Sequence, residues 1–221
     1  MAVVTISRQF GCGGREVAEK ICELLDYSFF DKGLMAEVAA NVGLSESDVV
    51  DFSEDNYRVK GFWERLFGRG PRTVFEHETG RLDTSQEAML TAETLDESQC
   101  ILFVRSTIRA AYQKGNVVIL GRGAQAVLRD MPGVLHVRLT APEGSRVRRV
   151  EAREKLTFSQ AYQLMIDRDH ATVQYLQEFF GINGDDQLLY HLILNTGKMS
   201  TDAAANIIAT AVRGMEAEEG V

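Results

Sequence analysis

The amino-acid sequence predicts an α/β protein with a parallel sheet covered by helices on both faces. A β-rich run, Val3-Val4-Thr5-Ile6, opens into Gly11, Gly13 and Gly14 and then into an amphipathic helical pattern. A continuous apolar run, Val117-Val118-Ile119-Leu120, has the composition of a strand buried on both faces and ends at Gly121-Arg122-Gly123. Elsewhere strand-like and helix-like stretches alternate, as they do where helical crossovers join parallel strands.

Taken in order, Val3 to Ile6 is the first strand. Val17, Ala18, Ile21, Cys22, Leu24 and Leu25 recur at helical spacing and define the first helix. Tyr27-Ser28-Phe29-Phe30 is a short strand ending at Asp31. Gly33 to Val42 reads as a helix stopped by Gly43, and Ser45 with Asp48 is a weak capping box for another. From about residue 56 to 83 the periodicity fails. Aromatic and basic residues mix there, Trp63, Phe67 and Phe75 with Arg65, Arg69 and Arg72 among them. This segment is expected to be a substrate-facing flap, a contact surface, or a short helix over 62–67 packed on the core. Glu87 to Gln113 is a long helical pattern in two pieces, the second stopping at Lys114-Gly115. After the strand at Val117 come a helix over Ala124 to Arg129, closed by Pro132-Gly133, and a strand over Val134 to Leu139. Pro142 sits near the first turn of a helix that carries Arg146, Arg148, Arg149 and Arg153. Thr157 to Phe180 gives one or two helices and Leu192-Ile193-Leu194 the last strand. A helix over Thr201 to Met215 follows, and Glu216 to Val221 is expected to fray. No internal repeat or low-complexity tract interrupts the chain.

With 221 residues, 45% hydrophobic and 25% charged, the composition is that of a soluble globular chain. The formal net charge of −8 argues against a general nucleic-acid binder. No apolar run approaches the ~20 residues of a membrane span. The N-terminus enters the first strand almost at once, so no signal peptide is expected. Cys12, Cys22 and Cys100 lack metal-type spacing, and the odd number fits a reducing cytoplasm. His77, His136, His170 and His191 share no spacing and read as structural or surface residues.

Strand, glycine loop and helix together make a phosphate-binding layout. Glycines let successive backbone N–H groups converge on an anion, and the helix N-terminus adds its dipole. The alternative is a glycine-rich turn that binds nothing. Against the pattern G-x-x-x-x-G-K-[ST], with Gly13 as the second glycine, Arg8 stands at the first glycine, Gly14 at the lysine and Arg15 at the hydroxyl residue. Arg8 or Arg15 is left to supply the missing charge. Cys12 sits near a helix N-terminus, which lowers a thiol pKa, or is simply a small residue suited to the turn. Arg122 between two glycines, just past a buried strand, falls at the sheet edge where α/β proteins bind ligands, and Asp31 has the same placement. Arg146, Arg148, Arg149 and Arg153 also read as a solvated face paired with Glu143, Glu151 and Glu154.

The runs ISRQFGCGGREVAEKI, FFDKGL, VVILGRGA and LILNT resemble the cytidylate kinase-like branch of the nucleoside monophosphate kinases, which are P-loop phosphotransferases. The resemblance extends from Val3 to about Val212 and is weakest over about 56–85. It implies one three-layer P-loop NTPase-like domain over 1–221 with a five-stranded parallel sheet. It also implies a nucleotide-monophosphate-binding insertion over about 45–100 and a helical lid over about 154–183. The implied chemistry is transfer of the γ-phosphoryl of ATP, with Mg2+, to CMP, dCMP or a related acceptor. Positioning and charge neutralisation carry such a reaction. Arg8, Gly11, Cys12, Gly13, Gly14, Arg15 and Glu16 would form the ATP site. Arg15, Arg122, Arg146, Arg149 and Arg168 would act on the transferring phosphoryl. Asp31, Arg109, Arg122 and Asp169 would hold the acceptor, with Arg168-Asp169 opening the second lid helix. No metal ligand set, nucleic acid or membrane is implied, and the chain is expected to be a cytoplasmic monomer or homodimer.

The sequence departs from that pattern in several places. The loop lysine is absent. Leu120 stands where an aspartate usually precedes the glycine-arginine pair, and Glu37 stands near an expected arginine. Ala171, Thr172, Val173 and Gln174 replace lid positions usually rich in arginine. A single transition-state arginine is worth about 10³ or more in rate, so these losses bear on catalysis more than on fold. Three functions follow: an active kinase with a remodelled cation set, a non-catalytic nucleotide or anion binder, or a partner protein using segment 57–75.

Overall fold

A computed structural model of the chain describes residues 1–30 and 97–219. Five strands form one parallel sheet in the order β2-β3-β1-β4-β5. They are β1 (Val3–Arg8), β2 (Ser28–Phe30), β3 (Val117–Leu120), β4 (Val134–Thr140) and β5 (Leu192–Asn195). The described helices are α1 (Gly14–Leu25), α2 (Glu97–Lys114), α3 (Ala124–Val127), α4 (Glu143–Glu154), α5 (Phe158–Phe180) and α6 (Thr201–Glu219). The helices expected between residues 33 and 56, Asp31, Glu37 and the aromatic segment 57–75 lie outside the described residues.

Alternation along β1 divides the core. Val4 and Ile6 join Leu135 and Val137 of β4 under α1 (Val17, Ala18, Ile21) and α6 (Ala205, Ile208, Val212). On the other face Val3, Val117, Ile119 and Val134 meet Val104 and Ile108 of α2 and Ala124 and Leu128 around α3. Each fully buried Ile or Leu in these layers stabilises the fold by about 1.5–3 kcal/mol. A third cluster joins α4 and α5 through Val147, Val150, Leu164, Met165 and Tyr175.

This topology creates a switch point. β1 and β3 are neighbours, with Ile6 opposite Leu120. The loop after β1 leads to α1 on one face, whereas the loop after β3 leads to α3 on the other. Connections that diverge in this way leave a crevice at the carboxyl ends of the strands, where open α/β sheets bind ligands. The glycine loop and Gly121-Arg122-Gly123 are its two lips.

Of the one or two helices expected from Thr157, the structure has one: no Gly or Pro interrupts Phe158–Phe180, and Gly181 ends it in a left-handed C-cap. Three expectations need correction. Arg168-Asp169 therefore lies inside α5 and opens no second helix. The tail is not frayed from Glu216, because α6 continues to Glu219. The Tyr27 hydroxyl donates to Glu216 at 2.9 Å and the N-terminal amine stands 3.6 Å from the same carboxylate. The helix after Gly123 ends at Val127, short of Arg129.

Thr157 begins α5 with a reciprocal capping box. Its side chain accepts from the Gln160 backbone, and the Gln160 side chain accepts from the Thr157 N–H at 3.0 Å. Thr157→Ala is expected to destabilise the protein by about 1 kcal/mol, read as a lower urea midpoint with an unchanged m-value.

Candidate functional site

Close backbone approach gives the glycine loop its shape. Gly11 and Gly13 adopt left-handed φ values of 82° and 81°. A Cβ on Gly11 would stand 2.9 Å from the Arg146 carbonyl oxygen, and one on Gly13 would stand 2.9 Å from Cγ2 of Thr201. Both positions therefore require glycine twice over, by conformation and by space. Gly13 is the N-cap of α1 and provides no side-chain cap, so the helix N-terminus opens on the loop without a competing acceptor of its own. A cavity of about 340 Å³ lies against the loop, lined by Gly11, Gly13, Glu16, Arg149, Ala152 and Arg153.

Two ties hold the loop in place. Asp169 of α5 accepts from the Phe10 N–H at 2.9 Å and pairs with Arg146 of α4 at 2.5 Å. Arg146 also donates to the Phe10 carbonyl at 3.2 Å. On the other side, the Thr196 hydroxyl donates to the Cys12 carbonyl at 2.6 Å, and Arg149 donates to the Thr196 carbonyl at 2.6 Å. The Phe10 ring lies beneath two guanidiniums, Arg153 at 5.0 Å and Arg168 at 5.8 Å.

Cys12 is buried inside this frame. Burial pushes its thiol up to about 11, against the opposing pull of Arg8, Arg149 and Arg146. The helix N-terminus does not make it a thiolate; the small-residue alternative holds.

The second lip is strained. Gly121, Arg122 and Gly123 are all left-handed, at φ 72°, 65° and 70°. The Gly121 N–H donates to the Ile6 carbonyl at 2.9 Å, which joins this turn to β1 beside the glycine loop. A Cβ on Gly123 would meet the Phe180 ring at 2.4 Å. Arg122 is only 3% exposed. Gln125, in the following turn, is 1% exposed, and neither atom of its amide has a hydrogen-bond partner among the described residues. Such a buried amide costs about 1–3 kcal/mol.

The expected site residues thus separate. Arg8, Gly11, Cys12, Gly13, Gly14, Glu16, Arg146, Arg149, Arg168 and Asp169 gather around the loop. Arg8 runs along Gly14, its Cγ 3.1 Å from where a Cβ would stand. Arg15 is exposed, pairs with Glu19 at 2.8 Å and lies over the Phe29 ring. Arg109 lines a different cleft, with Arg105 and Arg129. Asp31 falls outside the described residues. The arginines of α4 are not one solvated face: Arg146 and Arg149 turn inward, whereas Arg148 bonds Gly144 and Arg153 pairs with Glu154.

Sequence reasoning missed Phe10, Thr196 and Gln125. The first two lie inside quoted motifs, but nothing in their spacing marks a loop support. It also missed a polar cluster on the β1–β4 face. There Arg138 bonds Ser7 at 3.0 Å and pairs with Asp185, while Tyr190 bonds the Gly184 carbonyl at 2.7 Å. His136 and His191, unrelated in sequence, stack at 5.3 Å, and burial lowers the His136 pKa. Among the described residues no group of three His, Cys, Asp or Glu side chains could hold a metal ion.

The model of the Cytidylate kinase-like family matches residues 3–198. The chain belongs to the cytidylate kinase-like family. The cytidylate kinase of Staphylothermus marinus is 30% identical over 95 residues, 43% of this chain and 53% of that protein. The match thus spans about half the length of that relative. The cytidylate kinase of Saccharolobus islandicus is 21% identical over 209 residues, covering 94% of this chain and 89% of the relative. An uncharacterized protein from Eubacterium ventriosum aligns over 96% of this chain and 99% of its own, with a TM-score of 0.64 and 20% identity. A shikimate kinase from Bacteroides thetaiotaomicron aligns over 96% and 98%, with a TM-score of 0.50 and 11% identity. With these two the likeness is one of fold. No described helix is long and apolar enough to cross a membrane.

Two outcomes test the loop supports. Asp169→Asn leaves Arg146 buried without its counter-charge and is expected to cost about 2–3 kcal/mol in urea unfolding. The value is below that of a fully buried pair because Asp169 is 25% exposed. The Cys12 thiol pKa is higher folded than unfolded, so its contribution is complete below pH 9.0 and is lost as pH rises towards about 11. Cys12→Ala is expected to show a smaller fall in urea midpoint than wild type between about pH 8 and about pH 10.5.

Proposed function

We propose that the chain is a nucleoside monophosphate kinase, transferring the γ-phosphoryl of ATP to CMP, dCMP or a related small acceptor in the cytoplasm, as a monomer or homodimer. The observation that carries this reading is Arg122. A buried guanidinium held in a left-handed turn at the switch point lies next to a glycine loop that a Cβ would fill. Strain of this kind, roughly 1–3 kcal/mol, persists where function requires it.

The loop suits the phosphates of ATP through its glycines and the open N-terminus of α1. Arg8 stands better than Arg15 to replace the missing lysine charge, since it runs along the loop glycine Gly14, whereas Arg15 is exposed and lies over the Phe29 ring. Mg2+ fits this donor set through its hydration shell: such ions take one or two carboxylates together with substrate phosphates, and Glu16 is the carboxylate lining the cavity. When bound, the ion neutralises charge on the phosphates. Arg122 then orients the acceptor phosphate, and the Gln125 amide offers hydrogen bonds to the acceptor. Lys155 and Gly181, both left-handed, bracket α5 and suit the boundaries of a lid.

A second reading is supported by the loop ties. Arg146 and Arg149, two cations expected at the phosphoryl group, are already bonded to Asp169, Phe10 and Thr196. A protein so arranged could bind nucleotide without turning it over.

A coupled ADP-release assay with CMP, dCMP and UMP decides between them. Acceptor-dependent release is expected, and Arg122→Ala is expected to lower kcat/KM at least ~10²-fold while ATP binding is retained. Binding of ATP with no release for any acceptor would leave the non-catalytic reading.

A further inference from the structure

Glycine frees the loop after β1 but does not decide which way its peptide units face. Turning over the Cys12–Gly13 unit would carry Gly13 from its φ of 81° to a negative value, and glycine accepts both about equally. The choice matters because a peptide unit is planar and trans, so the carbonyl of one residue and the N–H of the next point in opposite directions. One orientation offers an anion the Gly13 N–H. The other offers it the Cys12 carbonyl oxygen, which repels it.

Thr196, just past β5 and 1% exposed, makes the choice. Its backbone N–H donates to the Thr140 carbonyl at 2.9 Å, which fixes its place against β4. Arg149 donates to its hydroxyl oxygen at 3.2 Å and to its carbonyl at 2.6 Å. A guanidinium only donates, so the hydroxyl accepts from Arg149 and keeps its single proton for the Cys12 carbonyl, 2.6 Å away. With that carbonyl held on Thr196, the Gly13 N–H faces the opposite way. Gly13 is buried and lines the loop cavity, and among the described residues no acceptor takes its N–H. Buried N–H groups left without a partner are rare in folded proteins.

We infer that Thr196 is a positioning residue for phosphate: its hydroxyl holds the Cys12–Gly13 peptide unit so that the Gly13 N–H is presented to a phosphate oxygen of the nucleotide. The inference rests on the reading of the glycine loop as the site of the ATP phosphates. Thr196 acts through the backbone of the loop and touches no reacting atom.

Calorimetric titration of the full chain with inorganic tripolyphosphate tests this in wild type, Thr196→Ser and Thr196→Val. Serine keeps the hydroxyl and is expected to keep the wild-type affinity. Valine keeps the shape without the hydroxyl and is expected to bind at least ~10-fold more weakly, the worth of one hydrogen bond to a charged group. A purely structural role would lower the urea midpoint of Thr196→Val and leave its affinity unchanged. If Thr196→Val does not fold, the wild-type Gly13 amide decides: its proton resonance is expected to move downfield as tripolyphosphate saturates the loop. Acceptor-dependent ADP release scores the kinase reading separately, since its absence with this affinity pattern intact sinks that reading alone. The inference is overturned if Thr196→Val binds as tightly as wild type, if Thr196→Ser loses as much as Thr196→Val, if the Gly13 amide does not respond, or if wild type binds no tripolyphosphate.

Discussion

The Asp169 carboxylate fastens the glycine loop to two helices at once. One oxygen takes the Phe10 N–H and the other takes Arg146, which returns a bond to the Phe10 carbonyl. The loop can then run so close to α4 that Gly11 nearly touches the Arg146 backbone. Just past β5, Thr196 grips the Cys12 carbonyl and is itself held by Arg149 of α4. The conformation of the loop thus depends on residues far away in sequence. An ion pair of this sort adds little net stability over an apolar packing, but losing one partner is expensive. Its role is to set geometry, and it links the position of α5 to the shape of the glycine loop.

The same ties explain how an acidic chain presents a basic edge. Arg8, Arg146, Arg149, Arg153 and Arg168 all reach the glycine loop or its first residues. The formal charge of −8 is spread elsewhere. A local cluster of one sign in a low-dielectric crevice focuses the field and draws anions in, whatever the net charge. Arginine suits this double duty because its fork holds a protein carbonyl with one nitrogen and leaves others for a ligand.

Sheet and helices were legible because their signals are local. The apolar run at Val117–Leu120, the spacing of Val17, Ala18 and Ile21, and the helix stop at Lys114-Gly115 all map onto observed elements. The single span of α5 was only half legible: Thr157 and Gly181 mark its ends, but nothing in sequence excluded a break near Arg168. Glu216 looked like tail because its partners, Tyr27 and the N-terminus, are at the other end of the chain. Side-chain roles were least legible for the same reason. Arg146 and Arg149 carry the same formal signal as Arg148 and Arg153, and only packing against Asp169 and Thr196 separates them.

Four described non-glycine residues have left-handed backbones: Asp26, Asn116, Arg122 and Lys155. Asp26 and Lys155 are C-caps of α1 and α4, and Asn116 follows Gly115 in an exposed turn. Those settings are ordinary for the conformation, and short polar side chains or exposed flexible ones tolerate them. Arg122 differs in every respect. It is buried, long and charged, and it sits between two glycines that are themselves left-handed. A third glycine would relieve the backbone strain, and an apolar residue would relieve the cost of burying the charge. What a guanidinium adds at that point is a buried positive fork at the switch point, in a turn that the Gly121–Ile6 hydrogen bond joins to β1 beside the glycine loop.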